Sequence, residues 1–176
     1  MLQPMTLSRC LVAVAALLVT MDAAVADVTL PNVFGSKMVL QRDKDIRIWG
    51  SAEPAENVTV KIEQNQATAT AGDDGKWMVS LPAMSAGGPY EVSVSGKNTL
   101  KLMDVLIGEV WVCSGQSNME WPVSRAVNPK QEIAAAKYPN IRLFHIPRKP
   151  AGTPQTDVNA TWKECQPATV PSFSAV

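Results

Sequence analysis

Ser117 is the residue whose neighbours best suit it to act as a nucleophile. It stands in Ser114-Gly115-Gln116-Ser117-Asn118, directly after an apolar stretch of Leu106, Ile107, Val110, Trp111 and Val112. That stretch has the length of a buried strand rather than the 3.6-residue period of a helix stripe. A small-residue turn at the carboxyl end of a strand is where α/β sheets present reactive groups. Gly115 lets the chain turn tightly and lift the following side chains clear of the sheet. A helix starting near Ser117 would aim its free N–H groups at an oxyanion forming beside the hydroxyl, with the backbone N–H of Ser117 as one donor. Gln116 and Asn118 flank that hydroxyl and are the candidate substrate contacts. Met119 occupies the place of the second glycine in a G-x-S-x-G elbow, which argues against an ordinary α/β-hydrolase.

The elements that would hold this turn differ on its two sides. Residues 27–103 read as strands throughout: alternation recurs at Asp45–Gly50, Val58–Ile62, Lys76–Leu81 and Tyr90–Val94. Glu53-Pro54, Gly72-Asp73-Asp74-Gly75 and Gly87-Gly88-Pro89 separate them as turns. Short strands at this spacing predict a small antiparallel β-sandwich cored by Trp49, Val60, Trp77, Val79 and Val92. Trp77 and Tyr90 could stack on a sugar ring, but their places within alternating strands favour a core role. Residues 101–104 form the expected boundary. Beyond it, a helix is expected around Pro129–Lys137, capped by Asn128, with Pro129 in its first turn and Tyr138-Pro139-Asn140 ending it. Ile141–Ile146 reads as a second strand, so strand, turn, helix and strand follow in the order that opens a doubly wound sheet. Residues 147–161 read as an irregular loop.

A serine nucleophile needs a base and a carboxylate to orient it. The one histidine, His145, lies in a strand pattern that explains it structurally. Cys113 and Cys165 could pair in an oxidising compartment, but Cys113 is expected buried on the strand before Ser117, and the two are read as buried thiols. His and Cys are too few and too scattered for a metal site, and no cofactor motif occurs.

Residues 1–26 carry the pattern of a secretory signal peptide. Arg9 supplies the positive flank, Leu11–Val19 the apolar run, and Ala24-Val25-Ala26 the cleavage site. The run is far short of the roughly 20 apolar residues a membrane span needs. The expected protein is therefore exported, periplasmic or extracellular, and free of the membrane after cleavage. Lys and Arg total 16 and Asp and Glu total 16, so no basic field exists to collect nucleic acid.

The run Gly108–Glu120 resembles the first motif of the SGNH (GDSL-like) hydrolases, in the GQSN form of the sialate O-acetylesterases and related carbohydrate acetylesterases. Similar phrases lie upstream in Leu30-Pro31, Met38-Val39-Leu40-Gln41-Arg42 and Ile48-Trp49-Gly50, and downstream in Ile141-Arg142-Leu143-Phe144 and Trp162-Lys163-Glu164-Cys165. The resemblance implies a serine esterase that removes O-acetyl groups from a sugar without a cofactor, with Ser117 in the nucleophile position. It also implies a sandwich domain over 27–103 followed, over 104–176, by the start of a flavodoxin-like, three-layer α/β domain. Relatives of this kind supply base and carboxylate from an Asp-x-x-His motif that this sequence lacks. The chain is accordingly expected to be an N-terminal portion, inactive alone. Acetylated xylan is as compatible a substrate as a sialic acid ester. A noncatalytic carbohydrate-binding or adhesion protein, in which the sandwich does the binding, is the alternative.

Overall fold

The structure, a computed structural model, describes residues 27–176, so the expected signal peptide at 1–26 lies outside the described residues. Seven strands form before residue 109: β1 (Val39–Gln41), β2 (Ile46–Ser51), β3 (Asn57–Ile62), β4 (Asn65–Thr70), β5 (Lys76–Leu81), β6 (Gly87–Ser95) and β7 (Thr99–Gly108). Five of them make a mixed sheet in the order β1-β7-β6-β3-β4, and β2 and β5 pair separately. All of these pairings are antiparallel except β1 with β7.

Period-two alternation explains which side chains meet. Val58, Val60 and Ile62 of β3 and Val92 and Val94 of β6 face Ile46, Ile48, Trp77, Val79 and Leu81 of β2 and β5 in one continuous core. Trp49 is a correction to the expected core. Because Ile46 and Ile48 point inward, the residue between Ile48 and Gly50 must point outward, and Trp49 is 41% exposed. Its ring meets Phe34 edge-on, centroids 4.6 Å apart.

Gly50 is needed for a close approach rather than for a special backbone angle. A Cβ there would lie 2.1 Å from the Thr29 carbonyl oxygen and 2.9 Å from Cζ2 of Trp77. The reason is local: Thr29 and Ser51 exchange backbone hydrogen bonds of 2.8 and 3.0 Å across this point. Gly50→Ala is expected to destabilise the chain by ~1–3 kcal/mol through overpacking. The measurement is a lower urea midpoint at unchanged denaturant slope.

β7 runs through residues 103 and 104, where the sequence suggested a boundary. Between the pairs Val92↔Leu102 and Tyr90↔Val105 it carries one residue more than β6, and Asp104 takes a left-handed φ of 59° there. Such a bulge turns a side chain out of the ladder. The Asp104 carboxylate meets the guanidinium of Arg142 through two hydrogen bonds, Nη1 to Oδ2 at 3.1 Å and Nη2 to Oδ1 at 2.9 Å. Arg142 also donates from Nε to the Pro139 carbonyl at 2.7 Å, and its side chain is only 4% exposed. Lys37 Nζ donates to Asp104 at 3.1 Å and to Glu164. Trp162 Nε1 donates to the Val33 carbonyl at 2.8 Å. These contacts fasten the later residues to the sheet.

After Gly108 the expectations change most. The strand expected over Leu106–Val112 ends at Gly108, and residues 109–116 join no strand. One helix, α1 (Pro129–Ala135), forms near its expected place with Pro129 in its first turn. Asn128, the expected cap, is instead left-handed with φ 53° and makes no side-chain capping bond. β8 (Tyr138–Phe144) includes the residues expected to end the helix, and it pairs antiparallel with β9 (Trp162–Cys165). The expected opening of a parallel, doubly wound sheet is therefore not formed among the described residues. With no strand at 110–112 to lie beside, β8 finds its partner in β9. The last residues make one 3₁₀ turn at Val170–Ser172 and then run extended. The Ala175 N–H donates to the Trp121 carbonyl at 2.9 Å. A second, small core holds Ala136, Leu143, Cys165 and Val170 with Val123, Ile133 and Phe173 against it.

Candidate active site

The chain leaves β7 through a polar clamp. Gln41, at the end of β1, accepts from the Val110 N–H at 3.0 Å through Oε1 and donates from Nε2 to the Glu109 carboxylate at 3.1 Å. The Arg42 N–H donates to the Gly108 carbonyl at 2.9 Å. The parallel pairing of β1 with β7 brings Gln41 level with Gly108. This role of Gln41 was not read from sequence; its signal was a polar residue closing the apolar run Met38-Val39-Leu40.

Six residues after the clamp the chain turns. Gln116 is extended, and Ser117–Glu120 make a single 3₁₀ turn in which the Met119 N–H donates to the Gln116 carbonyl at 2.9 Å. Ser117 is therefore the first residue of a short helical turn, as expected of a helix start, and its side chain is exposed together with Gln116 and Asn118. Gly115 contributes differently from the expectation. It is not in the left-handed region, and its value lies in space, since a Cβ there would stand 3.0 Å from Cγ of Met119. The turn is held from behind by the Trp121 indole N–H, which donates to the Arg125 carbonyl at 3.1 Å, and by Arg148, whose Nη1 lies 3.3 Å from the Glu120 carboxylate.

His145 sits at the end of β8 with its ring edge-on to Phe173, centroids 6.0 Å apart. It lines a shallow cleft with Met119, Glu120, Pro147, Arg148, Ser172 and Ser174. The fold thus brings the sole histidine beside the turn that carries Ser117, but neither cleft that His145 lines includes Ser117. Among the described residues no group of His, Cys, Asp and Glu has the arrangement of a metal site.

The cysteines divide. Cys165 is buried and burial pushes its thiol pKa up, whereas Cys113, expected buried, is exposed because the strand that would have covered it does not form. Both are free thiols. Of these two, Cys113 is expected to react at once with Ellman's reagent in the folded chain, and Cys165 only after denaturation. Following 2-nitro-5-thiobenzoate release before and after adding guanidinium counts the two populations.

The Arg142 guanidinium, and after it Lys37, hold the Asp104 carboxyl below the usual carboxylate range. Glu164, then Asp104, raise the Lys37 ammonium above its ordinary value.

Comparison with known proteins gives consistent relatives. No protein-family model matches the chain. The sialate O-acetylesterase of Mus musculus is 39% identical over 122 residues, which is 62% of this chain and 23% of the mouse protein. That of Homo sapiens is 37% identical over 128 residues, 65% of this chain and 24% of the human protein. The crystal structure of a carbohydrate acetylesterase from Xanthomonas citri matches with a TM-score of 0.82 and 39% identity over 84% of this chain and 35% of its own. The chain thus spans about a quarter of the length of the curated relatives it matches. Over the aligned residues it is a homologue of the sialate O-acetylesterases.

Proposed function

We propose that this chain forms the nucleophile-bearing part of an exported serine esterase that removes O-acetyl groups from carbohydrates. The observation that carries the reading is the exposed Ser117 at the first position of a helical turn, in a chain that is 39% identical over 122 residues to a sialate O-acetylesterase. Residues 27–103 are read as the sandwich domain and 104–176 as the start of the SGNH-type α/β domain. Ser117 Oγ attacks the acetyl carbonyl carbon, and its own N–H is one oxyanion donor. A base takes the hydroxyl proton and returns it to the departing sugar oxygen; water then releases acetate from the acetyl-serine. The base and its carboxylate are assigned to the portion of the relatives that this chain does not match. Gln116 and Asn118 flank the acyl group, and no metal or cofactor takes part.

The test is hydrolysis of 4-nitrophenyl acetate by two proteins: the 176-residue chain, and a chimera in which residues 27–176 replace the matching segment of the Xanthomonas citri acetylesterase. The reading expects turnover in the chimera and none in the chain. Turnover by the chain that is lost in Ser117→Ala would return His145 to the role of base. A folded chimera without turnover would sink the assignment of Ser117.

One observation favours the noncatalytic alternative. Trp49, rather than Trp77 or Tyr90, offers a half-exposed indole on the outer face of β2. Retardation of the chain in gels containing acetylated xylan, abolished by Trp49→Ala, is what that alternative expects.

A further inference from the structure

The departing sugar of an acetyl ester needs a place beside Ser117, and the turn that carries the serine supplies one. Ser117 and Glu120 are the first and last residues of a single 3₁₀ turn. Side chains three apart in such a turn eclipse, and a rise of about 2 Å per residue sets them roughly 6 Å apart along it. Glu120 therefore stands one turn below the nucleophile, at a distance comparable with the width of a pyranose ring. There it lines, with Met119, His145, Pro147 and Arg148, a cleft of ≈ 340 Å³. That volume is at the small end of the range for small-molecule sites.

The two opposite charges in this cleft form a pair. Arg148 Nη1 lies 3.3 Å from one oxygen of Glu120 and 3.4 Å from the other, and Nε and Nη2 make no hydrogen bond among the described residues. The Arg148 side chain is 80% exposed and that of Glu120 52%, so the pair contributes little to stability and is open to a ligand. Met119 and Pro147 add an apolar wall. A neutral sugar fits this combination. Each of its hydroxyls both donates and accepts, so two adjacent hydroxyls are satisfied together by a carboxylate oxygen and a guanidinium N–H, while the C–H face of the ring lies on the apolar wall. A sugar carboxylate only accepts, and beside the guanidinium it meets the like charge of Glu120.

We propose that Glu120 and Arg148 are the specificity-determining pair of the leaving-group subsite, selecting an uncharged sugar over one that carries a carboxylate. The inference rests on the esterase reading above for the reaction itself. Of the two substrates compatible with the sequence, it assigns the neutral one, an acetylated glycan of the xylan type, over an ester of sialic acid.

The experiment uses the chimera in which residues 27–176 replace the matching segment of the Xanthomonas citri acetylesterase. Acetate release at pH 7 is measured from a mono-O-acetylated methyl glucoside and from the corresponding methyl glucuronide, which differ only in a hydroxymethyl group exchanged for a carboxylate. 4-Nitrophenyl acetate, which carries no sugar, is the reference. The expected kcat/KM for the glucoside ester exceeds that for the glucuronide by ~10-fold or more. Arg148→Gln should lower the glucoside ester ~10-fold relative to 4-nitrophenyl acetate, mainly through KM, because a charge-assisted bond to the sugar is lost. Glu120→Gln removes the repelling charge and should shift the glucoside-to-glucuronide ratio ~10-fold towards the glucuronide. If the pair merely supported the turn, each substitution would lower all three esters in proportion and leave these ratios where they were. That result overturns the proposal, as do equal rates on the two sugars or a preference for the glucuronide in the unsubstituted chimera. Such failures leave Ser117-dependent hydrolysis of 4-nitrophenyl acetate, and with it the esterase reading, in place. A folded chimera without that hydrolysis removes the esterase reading and the subsite together.

Discussion

Ser117→Ala in the chimera with the Xanthomonas citri acetylesterase is expected to lower kcat on 4-nitrophenyl acetate by on the order of 10⁴- to 10⁶-fold, the scale of losing the nucleophile of a serine hydrolase. The fold should survive, because the Ser117 side chain is exposed. An unchanged melting temperature beside the lost turnover separates a chemical from a structural role. Gln116→Ala and Asn118→Ala, which leave the hydroxyl intact, should act mainly on KM if these side chains hold substrate. A Ser117→Ala chimera that keeps more than about a tenth of its turnover would place the nucleophile elsewhere, since what survives such a loss is ordinarily the small residue from binding and oxyanion donors.

Asp104→Ala is expected to be the most damaging charge substitution among the described ion pairs, at ~3 kcal/mol of unfolding free energy. That is the lower end of the cost of removing one partner from a buried pair. The value follows from an asymmetry in burial: the Arg142 side chain is nearly enclosed, whereas water reaches part of Asp104 and softens its own loss. Without the carboxylate, an enclosed guanidinium loses both carboxylate hydrogen bonds, and Nη2 its acceptor. Glu164→Ala, which removes only a contact to the more exposed Lys37, should cost less than about 1 kcal/mol. Urea denaturation of the three proteins at pH 7 orders these costs, and equal losses would refute the argument.

The same pair predicts an acid limb. Arg142 first, and Lys37 after it, lower the folded pKa of Asp104, so its contribution is complete above the unfolded carboxylate pKa of about 4. The contribution fades as the pH falls below that value and through the lower folded pKa. Asp104→Asn keeps the shape and tolerates the left-handed backbone, and it should flatten the stability profile below about pH 4. Lys37 acts with the opposite sign: its raised pKa makes its share complete below about pH 10.4, with loss as the pH climbs through the folded value.

Much of the β-rich part was legible in the sequence because its signal is local. Alternation at Ile46–Ile48, Val58–Ile62 and Trp77–Leu81 specifies strands and an inner face, whatever lies beside them. Trp49 was misassigned by weighing its size above its register, although the flanking Ile48 already pointed inward. Arg142 was harder to read: a charged residue among Ile141, Leu143 and Phe144 looks like the outer face of a strand. It is enclosed only because Asp104, 38 positions earlier, leaves its ladder through a bulge.

The sequence by itself determined the strand-rich character of residues 27–108, a turn at Ser117, and a resemblance that the comparisons with sialate O-acetylesterases support. Only the tertiary structure decided what happens after Gly108. There the run Val110–Val112 has every local property of a buried strand and yet lies exposed. β8, expected to join that strand, pairs with β9, and Cys113 faces water. The physical reason is that a strand exists only with a neighbour to take its backbone hydrogen bonds and cover its side chains. Composition carries the tendency to form a strand, but the neighbour lies elsewhere in the fold or outside the described residues.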